Sequence, residues 1–134
     1  MITSTLKDAS APASGKSLTI QRIMLSLEGL LVLISSIALY GFLGGNWWLF
    51  AGLLFAPDLV FIIYMLNKNI GIHAYNIAHT YSLPIALGLF SVLNSWQFGI
   101  LLALIWFAHI GLDRLIGYGL KYQTGFKDTH LNRV

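Results

Sequence analysis

Phe98-Gly99-Ile100-Leu101-Leu102-Ala103-Leu104-Ile105-Trp106-Phe107-Ala108-His109-Ile110-Gly111-Leu112-Asp113-Arg114-Leu115-Ile116-Gly117-Tyr118 decides the fold. Apart from His109, Asp113 and Arg114 near its end, the stretch is apolar and aromatic, and it reaches the roughly 20 residues a helix needs to cross a hydrocarbon core. Three comparable stretches precede it, at about 20–43, 47–66 and 71–93. The Gly44-Gly45-Asn46 stop, the Asn67-Lys68-Asn69 turn and the Asn94-Ser95-Trp96-Gln97 turn separate them. Trp47 and Trp48 open the second as an interfacial aromatic pair, and Pro84 lies inside the third.

Composition agrees. The chain has 134 residues, 57% of them hydrophobic and 10% charged, and a mean hydropathy of +0.74, whereas about a quarter of the residues of a soluble domain are charged. The expectation is an all-α integral membrane protein, a four-helix up-down-up-down bundle with no separate soluble domain. Residues 1–17 are polar, lack the apolar core of a signal peptide and read as a disordered tail. Residues 119–134 alternate glycines, aromatics and basic residues, which suits an interfacial segment at headgroup level.

The eight Lys and Arg residues divide unevenly. Lys7, Lys16, Arg22, Lys68, Arg114, Lys121, Lys127 and Arg133 all fall on or beside one face of an up-down bundle, and the two opposite loops carry none. By the positive-inside rule both termini are cytoplasmic, which for a bacterial protein means the inner membrane. The basic residues sit singly beside apolar runs, so they are bilayer anchors, with Lys121 and Lys127 placed to meet anionic lipid, and not a nucleic-acid patch. With no cysteine, chemistry is left to histidine and carboxylates.

Ionisable groups inside a span cost about 2.5–3.5 kcal/mol each on the insertion scale, so each needs a partner or a task. At 1.5 Å per residue, Glu28 lies roughly 9 Å inward of Arg22, Asp58 roughly 13 Å inward of Asn67, and His79 and His109 each about 12 Å inward of their span ends. Four helices therefore offer titratable groups at similar depth in one leaflet. His109 and Asp113 are i and i+4 on one helix face, while His73, Asn76 and His79 step through an arc of about 120°.

Each group has a plainer reading beside the functional one. Glu28 could pair with Arg22 or Arg114 and fix helix register. Asp58, after Pro57, could cap a locally broken helix. His73 is near the interface, Asn76 suits interhelical hydrogen bonding, and His79 and His109 could hydrogen-bond between helices. Taken together, two deep imidazoles with carboxylates from neighbouring helices match the donor set of zinc, iron or manganese. His79 and His109 are then the core metal ligands, with Asp58 and Asp113 or Glu28 completing the site or acting as base. Asn76, His73, Lys121 and His130 stand as substrate or support residues. The reaction this suits is metal-dependent hydrolysis of a lipid or other amphiphile. The rivals are a haem or pigment site with His79 and His109 as axial ligands, and a non-enzymatic membrane partner or small transporter, which could be oligomeric.

Leu27-Glu28-Gly29, Ala56-Pro57-Asp58-Leu59, Ala74-Tyr75-Asn76-Ile77-Ala78-His79-Thr80-Tyr81 with Pro84, Trp106-Phe107-Ala108-His109-Ile110-Gly111-Leu112-Asp113-Arg114 and Gly125-Phe126-Lys127-Asp128-Thr129-His130-Leu131 together resemble a bacterial family of short membrane proteins, the domain of unknown function four-two-six-zero. The resemblance runs from about Arg22 to Leu131. It implies a membrane-embedded chain and carries no activity. A looser likeness, of architecture only, is to small integral membrane metal-dependent hydrolases.

Overall fold

The computed structural model describes residues 19–117, together with the backbone of 121–122 and 125–129. Residues 1–18 and the side chains of the C-terminal segment, including Lys121, Lys127 and His130, lie outside the described part. Six α-helices follow in order: α1 (Ile20–Phe42), α2 (Trp47–Leu53), α3 (Phe61–Leu66), α4 (Lys68–Ala78), α5 (Ser82–Leu93) and α6 (Gln97–Ile116). A 3-10 segment, Ala56–Val60, joins α2 to α3. At the C-terminal end, β1 (Lys121–Tyr122) and β2 (Gly125–Thr129) pair antiparallel, Lys121 opposite Thr129, and β1 lies against α4.

Local chemistry sets the helix ends. The side chains of Thr19, Asn46 and Asn67 accept from the first free backbone N–H groups of α1, α2 and α4, which otherwise have no partner inside the helix. Gly117 closes α6 in the left-handed conformation, at φ 98°, where a side chain would be strained.

Three stretches are long and apolar enough to cross a membrane: α1, Trp47–Leu66 and α6. The pair α4 and α5 makes a fourth if taken as one span, but it bends by 46°. The sequence reads this stretch and Trp47–Leu66 as continuous spans; the structure interrupts both, and proline chemistry explains where. Pro84 has no N–H to give the carbonyl of Thr80, four residues earlier, and Pro57 lies in the 3-10 segment that divides α2 from α3.

The last helix is the central element, packing along α1 on one side and α5 on another, while α3 packs on α4. Where α1 crosses α6 the two backbones nearly touch. A Cβ on Gly29 would lie 2.7 Å from the Gly111 carbonyl oxygen, and one on Gly111 would lie 2.7 Å from that of Gly29. Toward the other end of α6, Tyr40, Phe50, Leu104, Ile105 and Ala108 form a buried cluster. The Tyr40 hydroxyl donates to the Asn46 carbonyl at 2.6 Å, and its ring packs edge-on against Phe50 at 5.1 Å. These contacts fix α1, α2 and α6 as a frame around which the broken stretches are arranged.

Candidate metal centre

Both interruptions deliver a side chain to the same point. Asp58 projects from the 3-10 segment; His79 caps the C-terminus of α4, where the bend begins. His109 and Asp113, one turn apart on α6, meet them. One ligand atom from each of the four residues lies within 4.8 Å of all the others.

Five of the six separations are similar. His79 Nε2 is 3.0 Å from His109 Nε2, 3.2 Å from Asp58 Oδ1 and 3.5 Å from Asp113 Oδ2. His109 Nε2 is 3.4 Å from Asp58 Oδ1 and 3.3 Å from Asp113 Oδ2. Nitrogen and oxygen ligands about 2.0–2.1 Å from a tetrahedral ion are about 3.3 Å apart, so five of the six edges have the length of a closed zinc-type shell.

Hydrogen bonding makes the arrangement informative. His79 Nδ1 is 2.8 Å from the Tyr75 carbonyl oxygen; that oxygen only accepts, so Nδ1 carries the hydrogen. In the neutral ring Nε2 then presents a lone pair to a second imidazole nitrogen and two carboxylate oxygens. One cation at the centre satisfies all of these contacts at once, and a carbonyl accepting from the distal nitrogen is the usual means of orienting a metal-bound imidazole. His109 Nδ1 is buried with no hydrogen-bond partner among the described residues.

Packing holds both rings. His79 and His109 are each 1% exposed. The Tyr75 ring stacks on His79 with centroids 3.8 Å apart, and Phe55 meets His109 edge-on at 6.3 Å. The carbonyls freed at the bend are taken by α6: Trp106 Nε1 donates to Ala78 O at 2.6 Å and Arg114 Nη2 to His79 O at 3.1 Å. Arg114 also lies over the Tyr81 ring at 5.9 Å. The carboxylates are less enclosed, with the Asp58 side chain 49% exposed and that of Asp113 14%. Asp58 is therefore the ligand with access from outside.

Glu28 and His73, also singled out in the sequence, are not in this four-residue group. Glu28 is on the exposed face of α1. His73 is exposed and Asn76 half-buried on α4. Three positioning residues, Tyr75, Trp106 and Arg114, are not evident from composition or depth. Trp106 leaves one trace, since it lies three residues before His109 on the same helical stripe. Tyr75 leaves another, four residues before His79.

The family described as Domain of unknown function (DUF4260) matches residues 22–134, and the chain belongs to that family. No curated protein and no solved structure matches the chain.

Proposed function

For a DUF4260 family chain with this one grouping of ligating side chains among its described residues, we propose a membrane-embedded divalent-metal centre held by Asp58, His79, His109 and Asp113. Zinc fits the four-coordinate nitrogen and oxygen shell best, with iron and manganese the other ions that this donor set accepts. The observation that carries the reading is the lone pair of His79 Nε2 facing a second imidazole nitrogen and two carboxylate oxygens at 3.0–3.5 Å. In the same reading the chain crosses the bacterial inner membrane four times, with both ends cytoplasmic.

The chemistry we assign is hydrolysis of a lipid or other amphiphile. Asp58 is the half-exposed ligand, so its side of the cluster is the one open to water; an ion held there would supply a water acidified toward neutral pH, and the Asp58 carboxylate would be placed beside it as a base. A second reading rests on a different feature. Two interrupted helical stretches both contribute ligands, as in transporters whose broken helices bind ions within the membrane, and the ion is then cargo. A haem between His79 and His109 has little support, because imidazoles on opposite sides of one iron stand about 4 Å apart at ordinary bond lengths of about 2 Å, against 3.0 Å here.

Elemental analysis of detergent-purified protein tests the centre. One equivalent of metal is expected, and its loss in both His79→Ala and His109→Ala; folded wild-type protein that neither co-purifies with nor takes up metal would overturn the reading. Ester hydrolysis abolished by chelation and restored by zinc favours the enzyme, whereas metal movement into sealed vesicles without turnover favours the transporter.

A further inference from the structure

Beside the cluster lies an apolar groove of about 660 Å³, within the range of roughly 300–1,000 Å³ typical of small-molecule sites. Its position is specific. Pro57 and Ala78, which line it, immediately precede the ligands Asp58 and His79; Ile105 and Trp106, on its α6 wall, are one turn before His109. Leu102, Ile105, Trp106, His109 and Asp113 form one stripe along α6, so groove wall and ligands are successive turns of the same face.

The lining gives a ligand nothing polar to recognise. Every lining side chain is aliphatic except Trp106, and the Trp106 N–H is already donated to the Ala78 carbonyl at 2.6 Å. The groove therefore suits hydrocarbon. Its direction is that of a membrane lipid. At 1.5 Å per residue, Leu102 lies about 10 Å farther than His109 from the Ile116 end of α6, so the groove runs from the cluster toward the bilayer interior. An amphiphile drawn into it with its chain along Leu102 and its head at Asp58 keeps the head-to-tail direction of a lipid of that leaflet.

We propose that this groove binds one hydrocarbon chain of a leaflet lipid and delivers the ester or amide carbonyl at the head of that chain to the metal centre. The substrate class is thus a long-chain ester or amide, an inference that rests on the metal-centre reading above. In the step, water adds its oxygen to the carbonyl carbon as the bond to the alcohol or amine breaks. One proton of that water passes to the departing oxygen or nitrogen, leaving a long-chain carboxylic acid.

The test uses the full chain in phosphatidylcholine nanodiscs and a hexadecanoyl hydroxamate bearing a diazirine on its last carbons, with a diazirine-labelled hexadecane as the control for bulk lipid contact. Metal content is measured on each sample. Expected is saturable labelling of the α4, α5 and α6 groove wall by the hydroxamate, at least tenfold above the hexadecane control. Ala74→Trp, or Leu102→Trp from the opposite wall should the first not fold, is expected to cut it tenfold with metal retained. Labelling spread over lipid-facing α1, or unaffected by either variant in metal-loaded protein, overturns the groove and leaves the metal centre standing. Groove labelling by the hydroxamate that persists at full strength in protein shown to bind no metal overturns the metal reading and, with it, the delivery of a carbonyl to that centre.

Discussion

Asp113→Asn separates a metal centre from a structural ion-pair network, because the two predict opposite signs in the absence of metal. With neutral imidazoles the cluster carries two negative charges, on Asp58 and Asp113, whose facing oxygens are at most 4.8 Å apart. At that separation and an effective dielectric of 20, their repulsion is about 3.5 kcal/mol. Asp58 is half-exposed on the open side of the cluster, and water reaching that side doubles the effective dielectric for the pair and leaves about 2 kcal/mol. Converting Asp113 to the isosteric amide removes that repulsion, so the variant is expected to be about 2 kcal/mol more stable than wild type when both are stripped of metal. With zinc the sign reverses: a hundredfold loss of affinity alone removes about 2.7 kcal/mol of metal-linked stability. The assay is reversible unfolding in mixed micelles at pH 8, above the ordinary imidazole pKa of about 6.5, once with chelator and once with free zinc. A network of protonated histidines and carboxylates loses an attraction on the same substitution. Equal destabilisation in both conditions would refute the metal-centre account.

Two further outcomes follow from the geometry. X-ray absorption at the zinc edge is expected to show four nitrogen or oxygen neighbours at about 2.0 Å, two of them imidazole, since edges of 3.0–3.5 Å imply that radius in a tetrahedron; a six-coordinate shell would contradict it. In Gly111→Ala the new Cβ would be 2.7 Å from the Gly29 carbonyl oxygen and 2.9 Å from the Leu33 nitrogen, both backbone atoms. The variant is therefore expected to lose the roughly 1–3 kcal/mol typical of overpacking and to bind metal more weakly, because His109 and Asp113 flank the site of strain; unchanged unfolding and affinity would show that α1 yields freely.

What the sequence makes legible is height along the bundle; what it leaves out is azimuth. Counting residues inward from the basic flanks puts Glu28, Asp58, His79 and His109 at similar depth, and three of those four meet in the structure. Glu28 does not, because its neighbour Gly29 is the residue that α1 turns toward α6. Successive helical residues are 100° apart, so that contact leaves Glu28 on another face. The same limit applies to His73, whose spacing to His79 describes one straight helix, and the helix ends at His79. The sequence offers Arg114 as a bilayer anchor or a partner for Glu28; in the structure it reaches back to the His79 carbonyl. No periodicity announces that bond, since its acceptor exists only because the helix has broken.

The breaks themselves connect fold to chemistry. Inside a bilayer an interrupted helix is tolerated only where its freed backbone groups find partners in protein or line a cavity, and at the bend α6 supplies two donors, Trp106 and Arg114. An uninterrupted helix would keep the residue at position 79 within its own ladder of hydrogen bonds. As the C-cap, His79 instead has its carbonyl held by Arg114 and its Nδ1 by Tyr75, and with both ends of the residue fixed Nε2 is left for the cluster. Pro57 lies in the interruption that carries Asp58. Two interruptions, each costly in a membrane and together bringing one imidazole and one carboxylate to a shared point on α6, are what a polyvalent cation would repay; helix packing alone requires neither.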